Sequence, residues 1–218
     1  DVEEYLGMSV FEAQKLALQY PIENIKNYYG RDLKEYYASL GKEQIARQAI
    51  FHTAPHAREE MEFIHTAINT QADAYGCEYG CGSAPVSFEI ALRGHRMDFI
   101  DVEGAAAYEF TKWRAKKRGI ENRCGWTLKG PYDYVLMLDS IEHIVEWREV
   151  LENVIAALKP DGALITNYFR NEDYDNPEHV SMDKPAVRKF LTERGVYPVN
   201  EMIWLKRDFS SMDRKQVA

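Results

Sequence analysis

The chain has 218 residues, a length that predicts either one large domain or one domain with an extension. Its composition, 45% hydrophobic and 28% charged, is that of an ordinary globular protein and argues against a disordered, collagenous or coiled-coil chain. Its 27 basic and 35 acidic residues give a net charge of −8, so we do not expect nucleic acid as a partner. No apolar run reaches the ~18 residues of a membrane span. No signal peptide is visible, so we expect a cytoplasmic protein without a membrane partner. The chain begins at Asp1 rather than Met, which is consistent with a missing N-terminal piece.

Residues 1 to about 70 are rich in helix formers and tyrosines and have no convincing strand pattern. Apolar residues recur there at helical spacing and predict helices around Phe11, Leu16 and Leu18, around Ile45, Ala49 and Phe51, and around Met61, Ile64 and Ile68. Pro55 is suited to a helix start. We expect 1–70 to form a helical cap that packs on the rest of the chain and presents tyrosines to a bound substrate.

From Ala72 onward short apolar runs alternate with helical patterns. The pattern predicts helices at 85–93, 104–118, 144–158 and 183–194, and strands at 72–78, 97–101, 120–124, 134–138, 163–168 and 196–205. Strands that alternate with helices predict an α/β fold with a mostly parallel, doubly wound sheet of six or seven strands. In such a sheet, ligands bind at the carboxyl ends of the strands.

The first predicted strand ends in a turn of small residues, Glu78-Tyr79-Gly80-Cys81-Gly82-Ser83-Ala84-Pro85. Small residues allow a ligand to lie against the backbone at a helix start. The second predicted strand ends at Asp101, and 101 − 80 = 21. An acidic residue ~20 positions after a glycine turn is where a nucleotide ribose is held. The order of strand, glycine turn, helix, strand and acid therefore predicts a nucleotide-type cofactor site.

Together with residues 133–144 and 158–165, these stretches resemble the class I S-adenosylmethionine (SAM) dependent methyltransferases over roughly residues 72–205. The resemblance implies a Rossmann-like methyltransferase domain over 71–218, with SAM as cofactor. It places Gly80 and Gly82 under the methionine part of SAM. The other cofactor contacts that it implies are Glu78 near the ammonium, Asp101 on the ribose hydroxyls, Trp126 against adenine, and Asp139 on the methionine or substrate side. The sequence departs from the family at its third glycine, which Ala84-Pro85 replaces.

The cluster Asp139-x-x-Glu142-His143 has several interpretations. Asp139 and Glu142 could form a capping box for the next helix. Similar runs in ubiquinone-pathway and small-RNA methyltransferases bind a divalent metal, and His179 could then be a further ligand. We favour a metal-free site, with His143 as general base and Glu142 beside it. The separate group His52, His56, Glu60 and His65 is interpreted as polar residues that line or cover a cleft, because Pro55 interrupts the helix.

These observations predict a SAM-dependent methyltransferase that acts on an oxygen or nitrogen of a small molecule or a sugar. Three alternatives stay open. They are a metal-assisted terminal 2′-O RNA methyltransferase, a nicotinamide-dependent oxidoreductase, and a protein that binds SAM without turnover.

Overall fold

The structure is a computed structural model, and it describes residues 1–18, 33–51, 55–68, 73–170, 179 and 183–207. The N-terminal part contains five helices in these ranges: α1 Val2–Leu6, α2 Val10–Leu18, α3 Leu33–Ser39, α4 Lys42–Phe51 and α5 Pro55–Ile68. The three predicted apolar stripes fall on α2, α4 and α5, and Pro55 begins α5 as expected. His52 and the side chain of His56 lie outside the described residues, so their predicted polar face is not seen.

A seven-stranded sheet forms the centre of the chain, in the order β3-β2-β1-β4-β5-β7-β6. The strands are β1 Tyr75–Tyr79, β2 Arg96–Ile100, β3 Cys124–Gly125, β4 Tyr132–Met137, β5 Leu158–Thr166, β6 Val196–Pro198 and β7 Ile203–Lys206. The first five strands are parallel, whereas β7 runs antiparallel to both β5 and β6. The predicted mostly parallel, doubly wound α/β fold is confirmed.

Helices cover both faces of the sheet. One buried cluster joins the sheet to α8 Trp147–Ala157 and α9 Lys184–Glu193, through residues such as Leu151 and Leu191. The other joins it to α5, α6 Pro85–Leu92 and α7 Ala106–Lys117, through Ile64, Phe88 and Tyr108. Because β1 pairs with both β2 and β4, the strand order reverses between β1 and β4. A crevice therefore opens at the carboxyl ends of these two strands.

The N-terminal helices pack directly on the sheet domain. Leu6 of α1, Ala13 of α2 and Ile45 of α4 form a buried cluster with Phe110 of α7. At the edge of this cluster the guanidinium of Arg118 donates to the Asp1 carboxylate at 2.7 Å. The division into a 1–70 cap and a 71–218 domain stays a prediction. Within the described residues, no helix has both the length and the apolar character needed to cross a membrane.

Three predicted strands differ from the structure. The predicted strand 163–168 begins five residues earlier, because β5 spans Leu158–Thr166. The predicted last strand, 196–205, is wrong because it is split into the antiparallel pair β6 and β7. The Asn200 side chain turns the chain between them, since its Oδ1 accepts hydrogen bonds from the amides of Met202 and Ile203, both at 2.8 Å. The predicted third strand, 120–124, is mostly a 3₁₀ turn at Glu121–Arg123, and only Cys124–Gly125 pairs with β2.

Candidate functional site

A cavity of about 1190 Å³ opens at the carboxyl ends of β1, β2 and β4, where the strand order reverses. Its walls come from the turns after these strands, from α4 and from Tyr37 of α3. The structure brings all eight residues of the predicted site to this cavity: Glu78, Gly80, Gly82, Asp101, Trp126, Asp139, Glu142 and His143. The eight residues that the sequence singled out therefore lie around one cavity, while their assignment to a functional site and the role of each stay predictions.

The glycine turn after β1 needs glycine for steric reasons. Gly80 has a φ of +74° and Gly82 a φ of +50°, in the left-handed region that side chains disfavour. A Cβ on Gly80 would also lie only 2.7 Å from the Cβ of Ser140, which follows β4. Ala84 stands where the family has its third glycine. It has a left-handed φ of +51° and is the residue before α6. Ala84 thus adopts the left-handed conformation that glycine would favour at this position.

Asp101 holds the glycine turn against the end of β2. Its Oδ2 accepts a hydrogen bond from the Gly82 amide at 2.5 Å, and its Oδ1 accepts one from the Val102 amide at 2.6 Å. Burial raises the pKa of the Asp101 carboxyl, and the two backbone donors counter part of that rise. Because each oxygen has one backbone donor, each retains a lone pair that can accept a further hydrogen bond.

Glu78 is an almost fully buried carboxyl at the end of β1, with 3% exposure. Its Oε2 accepts a hydrogen bond from the Ser87 hydroxyl of α6. Burial is the main cause that raises the pKa of Glu78 to about 8. The carboxyl is therefore largely protonated at neutral pH, and a cation beside it would favour its ionised form.

Asp139 is fixed by Asn167, which follows β5. The Asn167 amide nitrogen donates to Asp139 Oδ1 at 2.9 Å and to Glu60 Oε1 at 3.0 Å, and its Oδ1 accepts from the Asp139 amide at 2.9 Å. Burial and the charge of Asp139 raise the pKa of Glu60 to about 7. The capping-box interpretation of Asp139 is wrong, because the next element is a short 3₁₀ turn at Ile141–His143 whose N-cap is Ser140.

Glu142 and His143 lie on this 3₁₀ turn and face the same end of the cavity as His179. Donor atoms of Glu142, His143 and His179 all lie within 4.8 Å of one another. The His143 ring is edge-on to the rings of His179, at 4.9 Å between centroids, and of Tyr37, at 6.3 Å. Burial raises the pKa of Glu142, and the nearby imidazole of His143 opposes that rise. Asp139, the fourth residue of the possible metal set, is not part of this group.

The remaining cavity walls include one predicted residue and three that sequence reasoning missed. Trp126, after β3, lines the cavity edge and is 62% exposed. Gln44, Arg47 and Gln48 of α4 line the wall above the glycine turn. Gln48 Oε1 accepts a hydrogen bond from the Ser83 amide at 2.9 Å, which joins α4 to that turn. The sequence signal that could have predicted this wall is the pair Gln44 and Gln48, which are four residues apart and so lie on one helix face.

A family model described as a methyltransferase domain matches residues 47–202 of the chain. A curated relative, the ubiquinone biosynthesis O-methyltransferase of Rickettsia prowazekii, is 29% identical over 129 residues. That match covers 53% of this chain and 49% of the relative, so the chain spans about half the length of the relative that it matches.

Solved structures of methyltransferases have the same fold. The 1,6-didemethyltoxoflavin-N1-methyltransferase of Burkholderia thailandensis has a TM-score of 0.60 at 15% identity, covering 81% of this chain and 88% of that one. The magnesium protoporphyrin IX methyltransferase of Synechocystis PCC 6803 has a TM-score of 0.57 at 15% identity, and the match covers 81% of this chain and 96% of that one. The family model covers well over half of the sequence, and the fold agrees with it. The chain therefore belongs to the methyltransferase domain family, among the class I SAM-dependent methyltransferases.

Proposed function

We propose that the protein transfers a methyl group from SAM to an oxygen or nitrogen of a small molecule or a sugar. The observation that carries the proposal is the cavity at the β1–β4 reversal, in which a glycine turn bound to Asp101 lies opposite the Glu142–His143 turn. A glycine turn followed by an acid is common to methyltransferases and nicotinamide-dependent oxidoreductases, so this feature does not separate the two classes. Membership of the methyltransferase family is what disfavours the nicotinamide-dependent alternative.

The charge and size of the cavity suit SAM together with an acceptor. The described lining residues include one guanidinium, that of Arg47, and six carboxyl groups, of which Glu78 becomes charged only when a cation lies beside it. The other five are Asp101, Glu103, Asp139, Glu142 and Glu146. SAM has a positive sulfonium and a positive ammonium, so an acidic wall favours it. A pocket that binds one small ligand typically has a volume of roughly 300–1,000 Å³. The cavity, at about 1190 Å³, has room for the donor and a small acceptor.

Each predicted cofactor contact has a physical basis in this geometry. Gly80 and Gly82 leave the backbone open for the methionine part of SAM, and Asp101 has lone pairs left for the ribose hydroxyls. Glu78 would ionise beside the ammonium. Trp126 is exposed at the cavity edge, so its indole face would be available to adenine. Asp139 lines the cavity and would contact the methionine part of SAM or the acceptor.

SAM supplies an electrophilic methyl group on its sulfonium, and the residues of this chain would align the acceptor and take its proton. His143 is the proposed general base, because imidazole is the side chain best suited to proton transfer near neutral pH. Glu142, buried beside it, would stabilise the protonated imidazole. Tyr37 and His179 form aromatic walls around the acceptor. Holding the acceptor in line with the methyl group would lower the barrier further, because the two reacting groups are already oriented.

The metal-assisted alternative is supported by the group Glu142, His143 and His179. A carboxylate and two imidazoles are suitable ligands for Mn or Zn. A metal site was expected to have four ligands, but the fourth, Asp139, is hydrogen-bonded to Asn167 instead. We therefore favour the metal-free base. Under this proposal His179 shapes the acceptor pocket.

The experiment that tests the function is methyl transfer from labelled SAM to a panel of hydroxyl and amine acceptors, sugars and short RNA, with products identified by mass spectrometry. We expect label on a small-molecule or sugar acceptor, and less label at low SAM concentration when Asp101→Ala replaces the wild-type protein. Label on RNA ends alone would favour the RNA alternative. SAM binding without label on any acceptor would support the non-catalytic alternative and contradict the proposal.

A further inference from the structure

The Glu142 carboxyl has an oxygen without a hydrogen-bond partner. The residue is only 6% exposed, and it lines the cavity. Within the part of the chain that the structure describes, its Oε2 is withdrawn from solvent and makes no hydrogen bond. A buried polar atom without a partner costs free energy, and a charged one costs more. The unpaired oxygen therefore indicates a ligand that donates a hydrogen bond or carries a positive charge at this end of the cavity.

Negative charge predominates around this oxygen. The carboxyl groups of Glu60, Asp139 and Glu142 lie within electrostatic range of one another, because burial and the charges of Asp139 and Glu142 raise the pKa of Glu60 to about 7. Two cations oppose this charge, Arg170 near Glu60 and Lys184 near Glu142. Neither belongs to the described cavity wall, whose one guanidinium comes from α4. This end of the cavity therefore attracts a cationic acceptor and repels an anionic one.

Aromatic and apolar side chains form the remaining wall around Glu142. The His143 ring is edge-on to the rings of Tyr37 and His179. Ile50 of α4 and Ile144 also line the cavity. The face of a tyrosine ring attracts a cation, and aliphatic side chains pack against an apolar body. A carboxylate beside such walls suits an ammonium group on an apolar molecule.

We propose that the methyl acceptor is a primary or secondary amine, which Glu142 binds as its ammonium beside His143. An aliphatic amine has a pKa of about 10, so it is an ammonium near neutral pH with N–H groups to donate to Glu142 Oε2. Donor atoms of Glu142 and His143 lie within 4.8 Å of one another, so a second N–H is close to the imidazole. Burial raises the pKa of Glu142, and an ammonium at Oε2 favours its ionised form. This inference rests on the proposed function and narrows its acceptor to a nitrogen.

The reaction on such an acceptor begins with the loss of one proton. His143 takes this proton from the ammonium, which frees the lone pair on nitrogen. The lone pair forms a bond to the methyl carbon while the bond from that carbon to sulfur breaks, and its electron pair stays on sulfur. The products are the N-methylammonium and S-adenosylhomocysteine (SAH), and His143 releases its proton to solvent.

The test is methyl transfer from labelled SAM to pairs of acceptors that share a skeleton and differ only in an amine or a hydroxyl group. The pairs are 2-phenylethylamine with 2-phenylethanol, hexylamine with hexanol, and glucosamine with glucose. We expect kcat/KM for the amine of at least one pair to exceed that of its alcohol at least about tenfold, the effect of a hydrogen bond to a charged group. Alcohols labelled as well as the amines, or no label on any amine, would overturn the inference.

Variants of Glu142 separate its charge from a structural role. Glu142→Gln keeps the volume and one acceptor oxygen but removes the charge, so KM for the amine should rise at least about tenfold with unchanged SAH affinity. Glu142→Asp keeps the charge and should keep the preference for the amine. The control Glu149→Gln makes the same change at an exposed site on α8 and should alter neither KM nor SAH affinity. A structural Glu142 would instead give a Gln variant with a lower melting temperature and an equal loss for amine and alcohol.

The outcomes distinguish failure of this inference from failure of the proposed function. If the wild type binds SAH and labels only alcohols, the amine assignment is wrong while methyl transfer stands. If EDTA abolishes transfer and Mn or Zn restores it, the cation at Glu142 is a metal, and the amine assignment is again wrong. If the wild type binds no SAH, the proposed function fails, and the inference fails with it.

Discussion

Replacing Gly80 with alanine tests the geometry of the proposed donor site. The φ of +74° costs an L-residue about 1–2 kcal/mol. The added Cβ would lie 2.7 Å from the Ser140 Cβ, whereas carbon atoms normally pack at about 3.5–4.0 Å. Ser140 Cβ is attached directly to the backbone, so the segment after β4 must move, at a further cost of about 1–3 kcal/mol. We therefore expect a loss of about 2–5 kcal/mol in the free energy of unfolding, the sum of these two contributions.

Gly119→Ala is the matched control. Gly119 has a φ of +68° and nothing within 4 Å of its added Cβ, so it has the same backbone strain without the contact. Urea unfolding should show a loss for Gly80→Ala that exceeds that of Gly119→Ala by about 1–3 kcal/mol. Calorimetry should show SAH binding reduced at least about tenfold in Gly80→Ala and unchanged in Gly119→Ala. Equal stability losses, or wild-type SAH affinity in Gly80→Ala, would refute this reasoning.

Other variants test the individual roles. Asp101→Ala should weaken SAH by about 1–3 kcal/mol in calorimetry, the scale of a lost hydrogen bond to a charged group, and unchanged affinity would remove Asp101 from the site. Because burial raises the pKa of Glu78 to about 8, ligand-free Glu78 must lose a proton when an ammonium binds beside it. The affinity for SAH should therefore rise with pH up to about 8, by up to about tenfold per unit, and Glu78→Gln should remove this pH dependence. His143→Ala should lower kcat by ~10²-fold or more with unchanged SAH affinity, and EDTA should have no effect on the wild type. Loss of activity in EDTA that Mn or Zn restores would establish the metal-assisted alternative instead.

Much of the site could be predicted because its signals are local in the sequence. The glycine turn directly follows β1, and Asp101 ends the next strand, so strand period and spacing were enough to place both at one edge of the sheet. Glu142 and His143 could be placed at this edge in the same way, because they come shortly after β4. Parallel pairing then brought these separate strand ends to one cavity.

The contacts that the sequence did not indicate are formed between distant parts of the chain. Gln48 and Ser83 are 35 positions apart, and Asn167 reaches Glu60 across 107 positions. The spacing of Gln44 and Gln48 indicates one helix face, but nothing in the sequence indicates the distant partner in either pairing. The division of the last predicted strand was missed for a different reason. The Asn200 turn is stabilised by a side chain that accepts from two backbone amides, within a run that otherwise has strand propensity.

The central claim is that the cavity at the β1–β4 reversal binds the methyl donor. Parallel calorimetric titrations of the wild-type chain with SAH and with NADH test it most directly. The same titrations of Asp101→Ala show whether the ligand binds in this cavity. We predict saturable SAH binding that Asp101→Ala weakens, and no binding of NADH. Binding of NADH without SAH, or SAH binding that Asp101→Ala leaves unchanged, would contradict the claim.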